Sequence, residues 1–151
     1  MSKSFEQILA ELGDSPDETE KLFRELNHLP EIDICIRALV LYAKSLTTNG
    51  KLLKHSSRYV MSPRNFVSFT PRYKRARHVT IEIRGSEKEF EKVDGFAVKN
   101  ARANSYSKFD FRRPDQLAAA VAYLRRANQV YGKGATRART ITKSAEVPVE
   151  P

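Results

Sequence analysis

The apolar residues change period at Gly50, and that change most limits the folds open to this chain. Before it, apolar side chains recur at helical spacing. After it come short runs rich in β-branched and aromatic residues, separated by turn formers. Phe5, Ile8, Leu9 and Leu12 predict a first helix, with Ser4 and Gln7 placed as a capping box and Gly13 as its stop. In SPDETEKLFREL, Ser15 can cap, Pro16 suits the first helical position and Glu18 completes a second box, while Leu22, Phe23 and Leu26 supply the apolar face. A third helix is expected from about Glu31 to Thr48, with Ile32, Cys35, Ile36, Leu39, Ala43 and Leu46 as its buried stripe and Asn49-Gly50 as its end.

The runs SRYVM, NFVSF, HVTIEI and SYSKFDF then read as strands, with Ser62-Pro63-Arg64-Asn65 as the first hairpin turn and Pro71 to Lys74 opening the next connection. Val79, Ile81 and Ile83 alternate with His78, Thr80, Glu82 and Arg84, so that strand has one apolar and one wet face. After a polar connection, GSEKEFEKVDG, and the last strand, Pro114 and Asp115 open a final helix. Its face is expected to be Leu117, Val121, Leu124 and Tyr131 beside Ala120 and Ala127, with Gly132 as its stop. Strands grouped between helices predict an α+β fold: N-terminal helices, a three- to four-stranded mainly antiparallel sheet, and a C-terminal helix packed on one sheet face. The expected organisation is one domain over residues 1–132, helical to residue 50 and sheet plus helix from 51, followed by a disordered basic tail at 133–151.

A chain of 151 residues can bury a core without a metal or disulfide. The single cysteine, Cys35, excludes an intramolecular disulfide and a cysteine-based zinc cage. The first residues do not have the make-up of a secretory signal, and the longest apolar run, Ala38 to Ala43, is too short to cross a bilayer, so a soluble cytoplasmic protein is expected.

Net charge is +9 and unevenly spread. Met1 to Cys35 holds three basic and nine acidic residues, a net of −6, while Ile36 to Pro151 holds twenty-four basic and nine acidic, a net of +15. Two readings follow: two surfaces with different partners, or an acidic helical segment that neutralises part of a basic sheet within one fold. The stretch from Lys51 to Val79 carries eight Lys and Arg, two His and no Asp or Glu. Lys54, Arg58, Arg64, Arg72, Lys74, Arg75 and Arg77 are interleaved with Tyr59, Phe66, Phe69 and Tyr73. Cations beside exposed aromatics can pair phosphates and stack bases, which makes DNA or RNA the expected partner and Tyr73 the expected exposed stacking residue. Phe66 or Phe69 facing the core would be the ordinary alternative. Lys99, Arg102, Lys108, Arg112, Arg113, Arg125 and Arg126, with Lys133, Arg137, Arg139 and Lys143 in the tail, form a second basic group.

No catalytic motif stands out. His28, His55 and His78 are scattered, and the chain has no P-loop, H-E-x-x-H, G-x-G-x-x-G or G-x-S-x-G. A hydrolase would need His55 or His78 to converge with a carboxylate. Cys35 reads as a buried hydrophobe, and Glu87, Glu89, Glu91 and Asp94 as a solvated charge run, so neither a metal nor a cofactor is expected. The competing functional reading is a protein-interaction module docking through its acidic N-terminal helices or an open sheet face.

The stretches KHSSRYVMSPRNFVSFTPR, HVTIEIRG and KFDFRRPDQLAAAVAYLRRANQVY together resemble a small bacterial and archaeal domain family of unknown function, sometimes labelled "predicted transport protein". The likeness covers residues 54–131 and rests on Tyr59, Asn65 to Val67, Val79 to Ile83 and Phe109 to Tyr131. It implies an α+β fold closing on the last helix, and it carries over no catalytic residue. Members of that family stand at the ends of larger proteins, including ones with restriction-type endonuclease domains, which by analogy implies nucleic-acid work.

Overall fold

Strand pairing starts immediately after Gly50. In the computed structural model, which describes residues 16–93, 95–101 and 105–131, β1 spans Lys51–His55, β2 Arg58–Ser62, β3 Val67–Arg72, β4 His78–Arg84, β5 Lys99–Ala101 and β6 Tyr106–Phe111. They form one antiparallel sheet in the order β1-β2-β3-β4-β6-β5. The sheet therefore has six strands where three to four were expected, and the additional ones, β1 and β5, are its two edges. Lys51-Leu52-Leu53-Lys54-His55 contains no β-branched residue, so its strand character comes from pairing with β2 and not from local preference. The helices are α1 (Thr19–Glu25), α2 (Asp33–Ser45) and α3 (Leu117–Tyr131). The expected helix at Phe5 to Leu12, the Ser15 cap and the tail at 133–151 lie outside the described residues.

The α1 start does two jobs. Asp17 Oδ1, one residue before the N-cap Glu18, accepts the Thr19 N–H at 3.1 Å, and it also accepts the Leu52 N–H of β1 at 3.1 Å. Glu18 Oε1 accepts the Lys54 N–H at 2.6 Å, and the Glu18 N–H donates to the Leu52 carbonyl at 2.8 Å. The outer edge of β1 is thus closed by the beginning of an acidic helix, which keeps it from pairing with another chain. Lys44 of α2 adds an ammonium 2.5 Å from Asp17 Oδ2.

One sheet face is apolar. Leu52, Tyr59, Met61, Val67, Phe69, Val79, Ile81, Ile83, Phe109 and Phe111 are all buried there. They join Leu22 and Leu26, the α2 residues Ile36, Leu39, Val40 and Ala43, and the α3 residues Ala120, Leu124 and Ala127 in one cluster. Phe66 and Phe69 both belong to it, so the structural alternative holds for both. The α3 face is rotated from the expected one: Leu117, Val121 and Tyr131 are only half-buried, and Tyr123 is buried instead. Tyr123 can sit inside because its hydroxyl donates to the Phe96 carbonyl and accepts the Val93 N–H at 3.0 Å. No helix among the described residues is long and apolar enough to cross a membrane.

The other face carries Arg58, Thr70, Arg72, His78, Thr80, Glu82, Lys108 and Asp110. It is drier than alternation alone predicts, with His78 at 8% and Thr80 at 6% exposure. Long side chains lie across the short ones; Arg72 Nε, for example, donates to the Thr80 hydroxyl at 3.2 Å.

Candidate nucleic-acid interface

Antiparallel pairing brings the β1–β2 turn and the β3–β4 loop to the same end of the sheet. Ser56 and Ser57 alone link β1 to β2, with Ser56 at φ 59°, a left-handed conformation that makes the reversal tight. The β3–β4 loop runs from Tyr73 to Arg77, and the end of α1 places Glu25 beside both. Between them lies a cleft of about 640 Å³, lined among others by Glu25, Lys54, Ser57, Arg72, Lys74 and Arg75.

Glu25 is the polar centre of this cleft. It accepts hydrogen bonds from the Tyr59 hydroxyl and from the Tyr73 hydroxyl at 3.2 Å, and the Lys54 ammonium stands 3.5 Å away. Burial and then the bond to Glu25 push the Tyr59 hydroxyl far above the ordinary phenol range. Burial and the Glu25 charge raise Tyr73 as well, so both stay protonated and donate. The Tyr73 ring is stacked on His28, with centroids 4.3 Å apart and planes 15° from parallel.

Of the eight residues singled out in the sequence, Lys54, Arg72, Tyr73, Lys74 and Arg75 line this cleft. The other three are elsewhere. Arg58 points to the opposite sheet face, 3.6 Å from Glu82. Arg64 lies in the β2–β3 turn, at the other end of the sheet. Arg77 is held by both oxygens of Glu31 at 2.6 and 3.0 Å and donates to the His28 carbonyl at 3.1 Å. Tyr73, expected to be exposed, is half-buried, with His28 over one ring face. Among the described residues, Arg64, Arg72, Lys74 and Arg75 have no carboxylate partner.

The second basic group is dispersed. Lys99 and Lys108 are cross-strand neighbours on β5 and β6, Arg125 donates to the Tyr42 hydroxyl at 3.2 Å, and Arg126 to the Glu89 carbonyl at 3.4 Å. Arg102 and the tail cations lie outside the described residues.

Sequence reasoning missed Glu25, Ser56 and Ser57 as cleft residues. The two serines were legible as a turn only once Lys51 to His55 was known to be a strand. It also missed a polar cluster on the other sheet face. His78 Nε2 lies 3.4 Å from Asp110 Oδ1, and Asp110 also receives the Thr80 hydroxyl at 3.0 Å and Arg112 at 3.0 Å. Burial lowers the His78 pKa against the pull of Asp110. The Thr80 hydroxyl beside the pair donates to Asp110 and not to the imidazole. His55 is exposed and lies outside the cleft. Cys35, expected to be buried, is half-buried against the core, and partial burial raises its thiol. Glu89 accepts from the Tyr131 hydroxyl, Glu87 bonds Asn100, and Asp94 is outside the described residues. No group of three His, Cys, Asp or Glu among the described residues is placed to hold a metal ion.

No family model matches this chain, and neither does any curated protein or solved structure.

Proposed function

We propose that this chain is a small binding module that contacts the phosphates of DNA or RNA with little sequence specificity. One observation carries the reading. The cleft at the β3–β4 loop is lined by Lys54, Lys74 and Arg75 with a single carboxylate, Glu25, and that carboxylate is already engaged by two tyrosines. The remaining positive field has no partner among the described residues, and a phosphate chain would supply one. The resemblance of residues 54–131 to a domain found beside endonucleases points the same way, by analogy. Fluorescence anisotropy with labelled DNA and RNA oligomers at 50 mM salt tests it. The wild-type chain should bind, and Lys74→Glu with Arg75→Glu should remove binding while the urea midpoint stays unchanged. Binding that survives the double reversal would place the interface elsewhere, and no binding to any probe would end the proposal.

A second reading, docking to another protein through the N-terminal helices, is favoured by the outer face of α2. Ile34 is 81% and Leu41 57% exposed there, two turns apart on one helical stripe. The carboxylates of the same region do not favour it: Asp17, Glu25, Glu31 and Asp33 are each paired within the fold. Glu25 and Glu31 neutralise cations of the sheet and its β3–β4 loop, and Asp17 and Asp33 cations of α2. Concentration-dependent sedimentation of the wild type, abolished in Ile34→Glu, would support docking to a second copy.

A further inference from the structure

We infer that the cleft takes one unpaired base, so that the protein prefers single strands to duplexes; this rests on the phosphate-binding reading and specifies it. Three features of the cleft are unnecessary for phosphates alone. The first is its volume. About 640 Å³ lies within the range of sites that enclose small organic ligands, roughly 300–1,000 Å³. A duplex offers phosphates at its surface and keeps its bases stacked, so it has nothing to put into such a space.

The second feature is the aromatic wall. Tyr73 is held at two points, by the His28 ring on one side and by Glu25 on its hydroxyl, so its ring is oriented before any ligand arrives. His28 covers one face and does not line the cleft, so the surface Tyr73 presents to the cleft is what that stack leaves open. Lys74 and Arg75 follow it directly in the loop, which puts cations next to the ring, as stacking of a base with its phosphate alongside requires. The third feature is the pair of turn serines in the lining. Ser56 and Ser57 supply hydroxyls that both donate and accept, and so fit the edge of any base without selecting one.

The test compares three labelled ten-residue probes at equal salt: oligo-dT, a duplex, and a strand of the same length whose sugars carry no bases. The wild type should bind oligo-dT more tightly than either of the others by about 5- to 150-fold, the effect of losing one stacked base. Tyr73→Ala should reduce oligo-dT binding to the level of the baseless strand and leave duplex binding unchanged. Tyr73→Phe, which keeps the ring and loses only the bond to Glu25, should retain most of the preference, so a loss confined to the alanine variant is not a folding defect. If all three probes bind the wild type equally while Lys74→Glu with Arg75→Glu still abolishes binding, the base site is overturned and the phosphate reading stands. If none binds, both fall.

Discussion

Asp17 closes the junction of α1, α2 and β1, and replacing it should cost more than an acidic surface residue ordinarily does. Its carboxylate accepts two backbone N–H groups, from Thr19 and Leu52, each at 3.1 Å, together with the Thr19 hydroxyl and the Lys44 ammonium, each at 2.5 Å. Asp17→Ala strips the first N–H of α1 of its acceptor, worth about 1 kcal/mol, and a partly buried strand N–H of its acceptor, worth about 1–2 kcal/mol, for a total of roughly 2–3 kcal/mol. With a urea slope of about 2 kcal/mol/M, the midpoint should fall by about 1–1.5 M. Asp17→Asn keeps an acceptor oxygen and loses the charge, so it should cost about 1 kcal/mol.

The pH dependence separates the two contributions. Partial burial opposes ionisation, but the Lys44 ammonium, the Thr19 hydroxyl and the Leu52 and Thr19 N–H groups together hold the Asp17 carboxyl at about 2, down from 3.8. The folded value lies below the unfolded one, so this stabilisation is complete above about pH 4 and is lost as pH falls through about 2. The shift corresponds to about 2.4 kcal/mol at face value; with the side chain 32% exposed, solvent screening reduces it to about 1 kcal/mol, in line with the asparagine variant. The difference between wild type and Asp17→Asn should therefore narrow toward zero near pH 2. An alanine variant within about 0.3 M of wild type in urea, or an asparagine difference independent of pH, would refute this account of the junction.

Salt dependence counts the phosphates met: with Lys74 and Arg75 as the cleft cations lacking a carboxylate, single-strand affinity should fall about 7-fold between 50 and 200 mM salt, and a fall near 10³-fold would show that cations beyond the cleft take part. Gly85→Ala forces a side chain onto φ +118° and sets its Cβ 2.9 Å from the Tyr131 ring and 3.1 Å from Phe90. It should cost about 2 kcal/mol, read as a Tm lower by about 6 °C, and an unchanged Tm would show that the loop rearranges freely. Tyr123→Phe leaves the Phe96 carbonyl and the Val93 N–H without that hydroxyl and should cost about 1–2 kcal/mol in urea, whereas a neutral result would mean that both groups find other partners.

Elements whose character is written in neighbouring residues were legible before the fold was known. Of the expected helical stripe, Ile32, Ile36, Leu39 and Ala43 are buried and Cys35 and Leu46 half-buried, and the Val79, Ile81 and Ile83 face of β4 is buried as its spacing predicts. The edge strands were not legible. Lys51 to His55 is extended because β2 pairs with one side and Asp17 and Glu18 close the other, and neither cause lies in the pentapeptide itself. The face of α3 was misjudged by part of a turn, because a tyrosine hydroxyl counts as polar in a sequence until a fold provides it with a carbonyl and an N–H.

The same division runs through the candidate site. The sequence alone determined that positive charge dominates Lys51 to Val79 and that no acidic residue lies within that stretch. Only the tertiary structure decided which of those charges are already answered: Lys54 by Glu25, Arg58 by Glu82 and Arg77 by Glu31, the last pair 46 residues apart. Net charge is a sum that ignores position, whereas the field a ligand meets depends on distances of a few ångströms, and the strand register and the packing of α1 set those distances.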